Sequence, residues 1–566
     1  MAGRTKPERA PGTATYRDVN VEQLKGALER ARAALSADDF ALLSGAVDTF
    51  TALTRELQLK GVTLERLKRL FLGSVSEKTS KVLGEDDAAE EEPPSDAASE
   101  EKEGKQAKKR RGHGRNGAAA YTGAKRKKVT HPAMHSGDGC PGCAKGKVYP
   151  MKEPALLLRV QGVAPLDATV WEAERLRCNA CGEVFTAPTP QGVGTEKYDE
   201  SADAMVAMLR YGAGVPFNRV ERLQSGLGIP LPASTQWELV ERRADALTPV
   251  QDALVRHAAQ GEVLHNDDTS MTVLELAERT RDEALAAGEP EQQVDREGVR
   301  TTGIVARVGE HKVALFITGR QLAGESLEEL LQERLKRLDP PIQMSDALSH
   351  NLPRELKTIV ANCLSHGRRY FVDIVENFPA QCRTVLETLR EVYVRDAEAR
   401  EQKLDAQARL AFHQKHSSPP MKALQKWMQA ELDEHRAEPN SPLGEAYRYM
   451  LKHWGGLTLF LRVAGAPLDN NLCERALKKA ILHRKNSLFY RTVHGAHVGD
   501  LYMSLIHTAE LNGVEPFRYL VALMRHADAV AKKPAAWLPW NYPRDDAGEQ
   551  WLASDARASD DSTAPP

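Results

Sequence analysis

The sequence predicts a multidomain protein built around an α/β core that a helical insertion splits. An N-terminal helical segment and a small metal-binding unit come before the core. Three observations predict this. Apolar runs with strand spacing cluster between residues 262 and 346, two CxxC pairs frame residues 140–181, and apolar residues recur every seven positions near the N-terminus. At 566 residues the chain exceeds one ordinary domain, so three or four units are expected.

Residues 1–80 read as helical. Leu43, Phe50, Leu57, Leu64 and Phe71 form a heptad series that Lys60 and Gly61 interrupt. The series suits a coiled coil that makes a homodimer or higher oligomer, and equally an amphipathic helix packed on its own domain. Residues 81–128 form a linker with segregated charge: 85–103 are acidic, and 104–128 carry ten Lys or Arg and no acid. Such blocks are solvated and flexible. The basic run Lys108, Lys109, Arg110, Arg111 and Arg115 suits DNA phosphates, the plain alternative being a tether. The formal net charge of −2 therefore excludes nothing about nucleic acid. No apolar run approaches a membrane span, and the N-terminus lacks a signal-peptide core, so a cytoplasmic protein without a membrane partner is expected.

Within 129–190, Cys140-Pro-Gly-Cys143 and Cys178-Asn-Ala-Cys181 can offer four thiolates in a tetrahedron, the donor set of a structural Zn2+ site. Residues 191–260 read as a helical DNA-binding or connecting region. The core is expected over 261–378, with VLHND, TGIVARVG and KVALFITG as three strands, the last two joined near Gly309-Glu310. Helical SLEELLQERLKRL follows, then a strand ending at Asp346, a helix, and RRYFVDIV as a further strand. Residues 379–465 read as a charged helical insertion, 466–525 as the completion of the core, and 526–566 as a partly disordered tail. Three strands, a helix, a strand, a helix, a strand and then an acid-bearing helix fit a ribonuclease-H-like fold.

Three acids have local settings suited to a catalytic metal. Asp267 closes the run GEVLHNDDT, Asp346 closes PPIQMSDALSHN, and Glu474 opens the helix-like PLDNNLCERALKKAI. Oxygen-rich clusters of this kind bind hard cations such as Mg2+ or Mn2+ and can serve phosphodiester cleavage. The bland alternative makes them caps or surface charges, with Asp469, Asn470 and Asn471 as capping candidates. Asp268 and Asp373 compete for the roles. Cys363-Leu-Ser-His366 has CxxH spacing, but two ligands do not make a zinc site, so a buried cysteine with a hydrogen-bonded histidine is expected. Cys382 and Cys473 read as packing residues. Arg368, Arg369, Arg475, Arg484 and Lys485 are further candidates for contact with DNA.

The segment DNNLCERALKKAILHRKNSLFYRTVHGAHVGDLYMSLIHTAELNGVEPFRYL resembles the C-terminal signature of insertion sequence 66 family transposases, with His483 where Gly is usual. LHNDDTSMTVL, SDALSHN, CLSHGRRYFVDI, the CxxC pairs and FLGSVSEKTSK extend the likeness, in order, from about residue 56 to 520. The resemblance implies a DDE triad at Asp267, Asp346 and Glu474, a pair of divalent ions, and DNA as partner and substrate. It also implies cleavage at an element's ends with strand transfer into target DNA, location on the nucleoid when DNA-bound, and two small accessory proteins. An inactive DNA-binding regulator derived from a transposase, or another ribonuclease-H-like nuclease, are the alternatives.

Overall fold

The chain divides into two units, residues 1–89 and 90–566. The computed structural model describes residues 196–279 and 298–543 continuously, parts of 135–190, and a few positions between 28 and 44. The heptad series beyond Leu43, the linker, and Cys140, Cys178 and Cys181 lie outside the described residues. Among the described residues, no helix is long and apolar enough to cross a membrane.

Two short strands, β1 (Arg175–Arg177) and β2 (Val184–Thr186), form an antiparallel pair. Helices α1 (Glu200–Ala207), α2 (Phe217–Gly226) and α3 (Ala233–Ala258) follow. The long α3 buries Leu239, Val240, Leu247, Val250 and Leu254, spaced so that one apolar stripe faces the core. Its buried Gln236 clamps the α2–α3 connection, donating to the carbonyls of Phe217 and Leu231 at 3.0 Å each.

The main sheet has five strands: β3 (Val263–Ser270), β4 (Arg300–Val308), β5 (His311–Gly319), β6 (Ile342–Ser345) and β7 (Ile359–Asn362), in the spatial order β5-β4-β3-β6-β7. β4 runs antiparallel to both β3 and β5, whereas β6 is parallel to β3 and β7 parallel to β6. Gly309, at φ +57°, makes the tight β4–β5 turn, and its amide donates to the Glu262 carboxylate at 3.1 Å. β4 and β5 are buried along most of their length because helices cover them.

Helix α4 (Ala323–Gln332) leads into β6. Only a single 3₁₀ turn, Ser349–Asn351, lies between β6 and β7 where a helix was expected. The fifth strand is the short IVAN run of β7, and RRYFVDIV is helical, the larger part of α5 (Leu364–Ile374). The physical reason is its period: Leu364, Gly367 and Phe371 are buried at spacings of three and four, which a strand cannot place on one face.

The insertion consists of α6 (Pro379–Glu401), α7 (Ala406–His416), α8 (Ser418–Asp433) and α9 (Pro442–Lys452). Its buried Asp396 receives Arg409 Nε at 3.0 Å and lies 3.2 Å from His413 Nε2, which ties α6 to α7. The chain then returns through the DNN segment to α10 (Asn471–Ser487) and α11 (Val493–Leu511).

α11 lies along β5 and closes that edge of the sheet. The outward backbone amides of Lys312, Ala314, Phe316 and Thr318 donate to side chains of Asn512, Thr508, Ser504 and Asp500 at 3.1, 3.0, 3.0 and 2.6 Å. Every second strand residue thus meets every fourth helix residue. Thr508 and Asn512 also donate back to the carbonyls of Ala314 and Lys312. An exposed strand edge is a template for unwanted pairing, and here a helix satisfies it. Burial pushes the Asp500 carboxyl up to about 7, against the two Thr318 donors. Helices α12 (Pro516–Arg525) and α13 (Ala527–Lys532) and a 3₁₀ turn, Pro534–Trp537, follow. Trp537 and Leu538 are buried within the segment read as tail, and Tyr519 Oη donates to the Trp537 carbonyl at 2.8 Å.

Candidate active site

Strand β3 carries His265-Asn266-Asp267-Asp268, and alternation sends these residues to opposite faces. His265 and Asp267 point toward α10, while Asn266 and Asp268 point toward the 349–351 turn. Asp268 is held there by Arg300 Nη1 at 2.9 Å, with His350 Nε2 at 3.9 Å. Asp373, the other competitor, is exposed near the end of α5.

Asp346 follows β6 directly. His265 pairs with Met344 in the parallel register, so two residues further along Asp346 is level with Asp267 on the neighbouring strand. The Leu348 amide donates to Asp346 Oδ1 at 3.2 Å, and Asn351 Nδ2 donates to the same oxygen. A fully buried polar network backs this turn. Asn266 Nδ2 and Gln343 Nε2 both donate to the Asn351 carbonyl, at 2.8 and 2.7 Å, and Gln343 also donates to Asn266 Oδ1 at 2.9 Å.

Glu474 sits in the first turn of α10, which packs on β3 and β4 through Cys473, Ala476 and Leu477. Close approach requires Gly303, the register partner of Asp267: a Cβ there would lie 2.9 Å from Leu477 Cγ and Cδ2. The DNN segment fixes where α10 begins. Asp469 lies against Tyr393 of the insertion and accepts from the Asn471 amide at 3.2 Å. Asn470 precedes the helix, yet its side chain does not cap it. Instead Asn470 Nδ2 donates to the Asn266 carbonyl at 3.1 Å, and its Oδ1 lies 3.1 Å from His265 Nδ1.

The three acids predicted from the sequence are thereby brought to one side of the sheet. Burial pushes Asp267 up to about 7. The charges of Asp346, Asp268 and Glu474 push the same way, while the Asp268 amide, donating at 2.9 Å, opposes them. A buried carboxyl with further carboxylates around it gathers negative charge that a bound cation relieves.

The other predicted residues fall in varied places. Arg475 and Lys485 are exposed on α10, Arg369 is exposed on α5, and Arg368 is half-buried. Arg484, expected at a phosphate, has its Nη1 on the Ser270 carbonyl and on Thr269 Oγ1 (3.1 Å), where it ties the end of β3 to the end of α10. Its neighbour His483 is buried and stacked on Tyr490 at 4.3 Å, and burial pushes it down to about 3. Cys143 is exposed, whereas Cys382 and Cys473 are buried as expected. Cys363 is also buried, but His366 Nδ1 has no hydrogen-bond partner, contrary to expectation. Lys108, Lys109, Arg110, Arg111 and Arg115 lie outside the described residues.

Sequence reasoning missed Asn266, Gln343, Asn351 and the true part played by Asn470, because their partners are remote in sequence. It also missed Tyr449 of α9, whose hydroxyl is pushed up by burial and then by the charges of Tyr370 and Asp346, and whose ring lies tilted against Tyr370 with centroids 4.4 Å apart.

The chain is 28% identical over 399 residues to the uncharacterized protein y4jD of Sinorhizobium fredii, covering 66% of this chain and 72% of that protein. It is 27% identical over 406 residues to the uncharacterized protein y4hP of the same organism, covering 67% and 69%. The model of the transposase IS66 family matches residues 196–498, more than half of the chain, a span that holds Asp267, Asp346, Glu474 and the whole insertion. The chain belongs to the transposase IS66 family.

Proposed function

We infer that the protein is a DDE transposase of ribonuclease-H-like fold that cleaves DNA at the ends of an insertion sequence and joins the freed ends to target DNA. Asp267, Asp346 and Glu474 are its catalytic acids. One observation carries this reading: two adjacent parallel strands and one helix start bring three carboxylates near enough for the charges of Asp346 and Glu474 to help raise Asp267. The sheet order, with the acid-bearing strand β3 in the centre and the parallel strands β6 and β7 to one side, supports the fold assignment.

Family membership implies a DNA partner and divalent metal use. The donor set fits Mg2+ or Mn2+: it is all carboxylate oxygen, Asp346, Asp268 and Glu474 crowd negative charge around Asp267, and Glu474 Oε1 is buried without a hydrogen-bond partner. When bound, such a cation activates a hydroxyl nucleophile and offsets charge at phosphorus. The chain's own contribution is placement. Asn351 and the Leu348 amide orient Asp346, the rigid centre strand presents Asp267, and Asn470 sets the start of the Glu474 helix. Arg475 and Lys485, exposed on the same helix, offer charge to DNA phosphates.

The test is incubation of the purified protein with linear DNA bearing the sequences that flank its gene, with and without Mg2+. Metal-dependent products with new 3′-hydroxyl ends are expected from the wild type and not from Asp267→Ala or Glu474→Ala, which should still bind the ends. Nicking by either variant overturns the assignment.

A further inference from the structure

Glu474 has neighbours that the cleavage chemistry does not use. Cys363 closes β7, His366 lies in the first turn of α5, and Glu474 lies in the first turn of α10, and the Leu364 amide donates to the Leu468 carbonyl (3.0 Å) to hold the two helix starts together. One ligand atom from each residue lies within 4.8 Å of the others. His366 Nδ1 is 3.7 Å from Glu474 Oε1, too far for a hydrogen bond, and both atoms are buried with no partner. Buried polar atoms are almost always paired, so two orphans facing each other beside a sulfur call for a third party.

The donors identify its chemistry. A thiol, an imidazole and a carboxylate are not the oxygen cage of a hard cation; they are the mixed set that zinc and similar borderline ions take, with a fourth position left to water. Burial pushes the Cys363 thiol up to about 12, and the Asn470 amide, donating to its Sγ at 3.3 Å, opposes that shift. His366 and Glu474 are each about one quarter exposed, so an ion has a route in from solvent.

We propose that Cys363, His366 and Glu474 form a second metal site, selective for zinc-like divalent ions, which competes with Asp267 and Asp346 for Glu474. Binding replaces the thiol proton, which leaves to solvent, by a sulfur–metal bond, and nothing is oxidised or reduced. A filled site takes Glu474 away from the other two acids, so the ion inhibits cleavage. The binding half of the proposal stands by itself, whereas the inhibition half rests on the catalytic reading of the three acids.

The experiment uses the full-length protein with whatever zinc it retains on purification, and Co2+ as a spectroscopic stand-in added without oxygen. The wild type should take up about one further equivalent and show a thiolate-to-cobalt charge-transfer band together with tetrahedral d–d bands. Cys363→Ser should lose the charge-transfer band. His366→Gln, at a partly exposed position that threatens folding less, should weaken uptake by about tenfold or more, the lower bound for losing even an outer-shell partner. Identical cobalt uptake and spectra in wild type and both variants overturn the site. In a second arm, Zn2+ is titrated against Mg2+-driven cleavage, with His366→Gln normalised to its own uninhibited rate. The zinc midpoint should rise by about tenfold or more in that variant. An unchanged midpoint overturns the competition even where cobalt binds. Absence of any cleavage by the wild type fails the catalytic reading instead, and the cobalt arm still decides the site.

Discussion

Replacing Asn470 by Ala removes the joint between the centre strand and the Glu474 helix, and its cost can be worked from the contacts. A backbone carbonyl only accepts, so the Asn470 amide nitrogen must face the Asn266 oxygen 3.1 Å away. Its Oδ1 therefore faces His265, which must carry its proton on Nδ1 to donate across the 3.1 Å gap. Burial pushes His265 down to about 4, so it stays neutral in ordinary buffers. In Asn470→Ala one buried acceptor and one buried donor lose their partners, at about 1–3 kcal/mol each, or roughly 2–6 kcal/mol together. Against a typical total of about 5–15 kcal/mol this is a large share. Urea unfolding followed by circular dichroism measures it. Cleavage should fall further still, since a shift of about 1 Å in a catalytic group can cost about 100-fold. Asn470→Asp sharpens the test: it keeps the acceptor for His265, loses the donor to Asn266, and places a buried carboxyl near Asp267. The folded-state pKa of that carboxyl should be raised, so this variant should destabilise more as pH rises. An Asn470→Ala protein within about 0.5 kcal/mol of wild type, a spread typical of neutral surface changes, would refute the joint.

Three other outcomes follow from the same structure. Asp500 has a folded pKa raised to about 7 from 3.8, so its contribution to stability is fully present below about pH 4 and is lost as pH rises through 7. The loss amounts to about 4 kcal/mol on the scale of about 1.4 kcal/mol per pH unit, and urea midpoints from acid to mildly alkaline pH should show this slope in wild type and lose it in Asp500→Asn. Gly303→Ala should cost about 1–3 kcal/mol by overpacking against Leu477; adding Leu477→Ala should recover part of it, and strictly additive effects in the double-mutant cycle would contradict the contact. Asp267 holds its proton up to about pH 7, so affinity for Mn2+ should fall by roughly tenfold per pH unit below that point; paramagnetic resonance of free Mn2+ reads this directly, and a flat profile from pH 5.5 to 7.5 would count against it.

The strands of the core were legible where alternation and flanking turns were strong: β3, β4, the Gly309 turn and the run that ends at Asp346 all lie where the sequence puts them. β7 was not legible because four residues, IVAN, carry too little pattern, and the neighbouring apolar RRYFVDIV competes with them. Asp267 stands out as the acid that closes an apolar run, although β3 continues past it to Ser270, and Glu474 as the acid in the first turn of a helix. The choice between Asp267 and Asp268 needed the strand's facing, which a pair of adjacent acids does not encode. Asn266, Gln343, Asn351 and Asn470 look like ordinary polar residues until parallel pairing and the return from the insertion bring their partners to them. Arg484 is the opposite case: a cation beside an active-site helix reads as a phosphate ligand, and its partners are Ser270 and Thr269.

The α11–β5 ladder sets two rulers with different gradations side by side. Two strand residues advance about 6.8 Å and four helix residues about 6.0 Å, so over three intervals the scales drift apart by about 2.4 Å. The side chains absorb this drift. Ser504 and Thr508, the short ones, serve the middle rungs where the scales coincide; Asp500 and Asn512, each reaching one bond further, serve the ends. Four rungs are about the most that such a vernier spans. This gives a physical reason for part of the SLI, TA and LNG signature that has nothing to do with cleavage. Length is fixed here more tightly than composition: deleting one residue from α11 rotates every later rung off the strand, whereas exchanging Ser504 for Thr keeps the ladder whole.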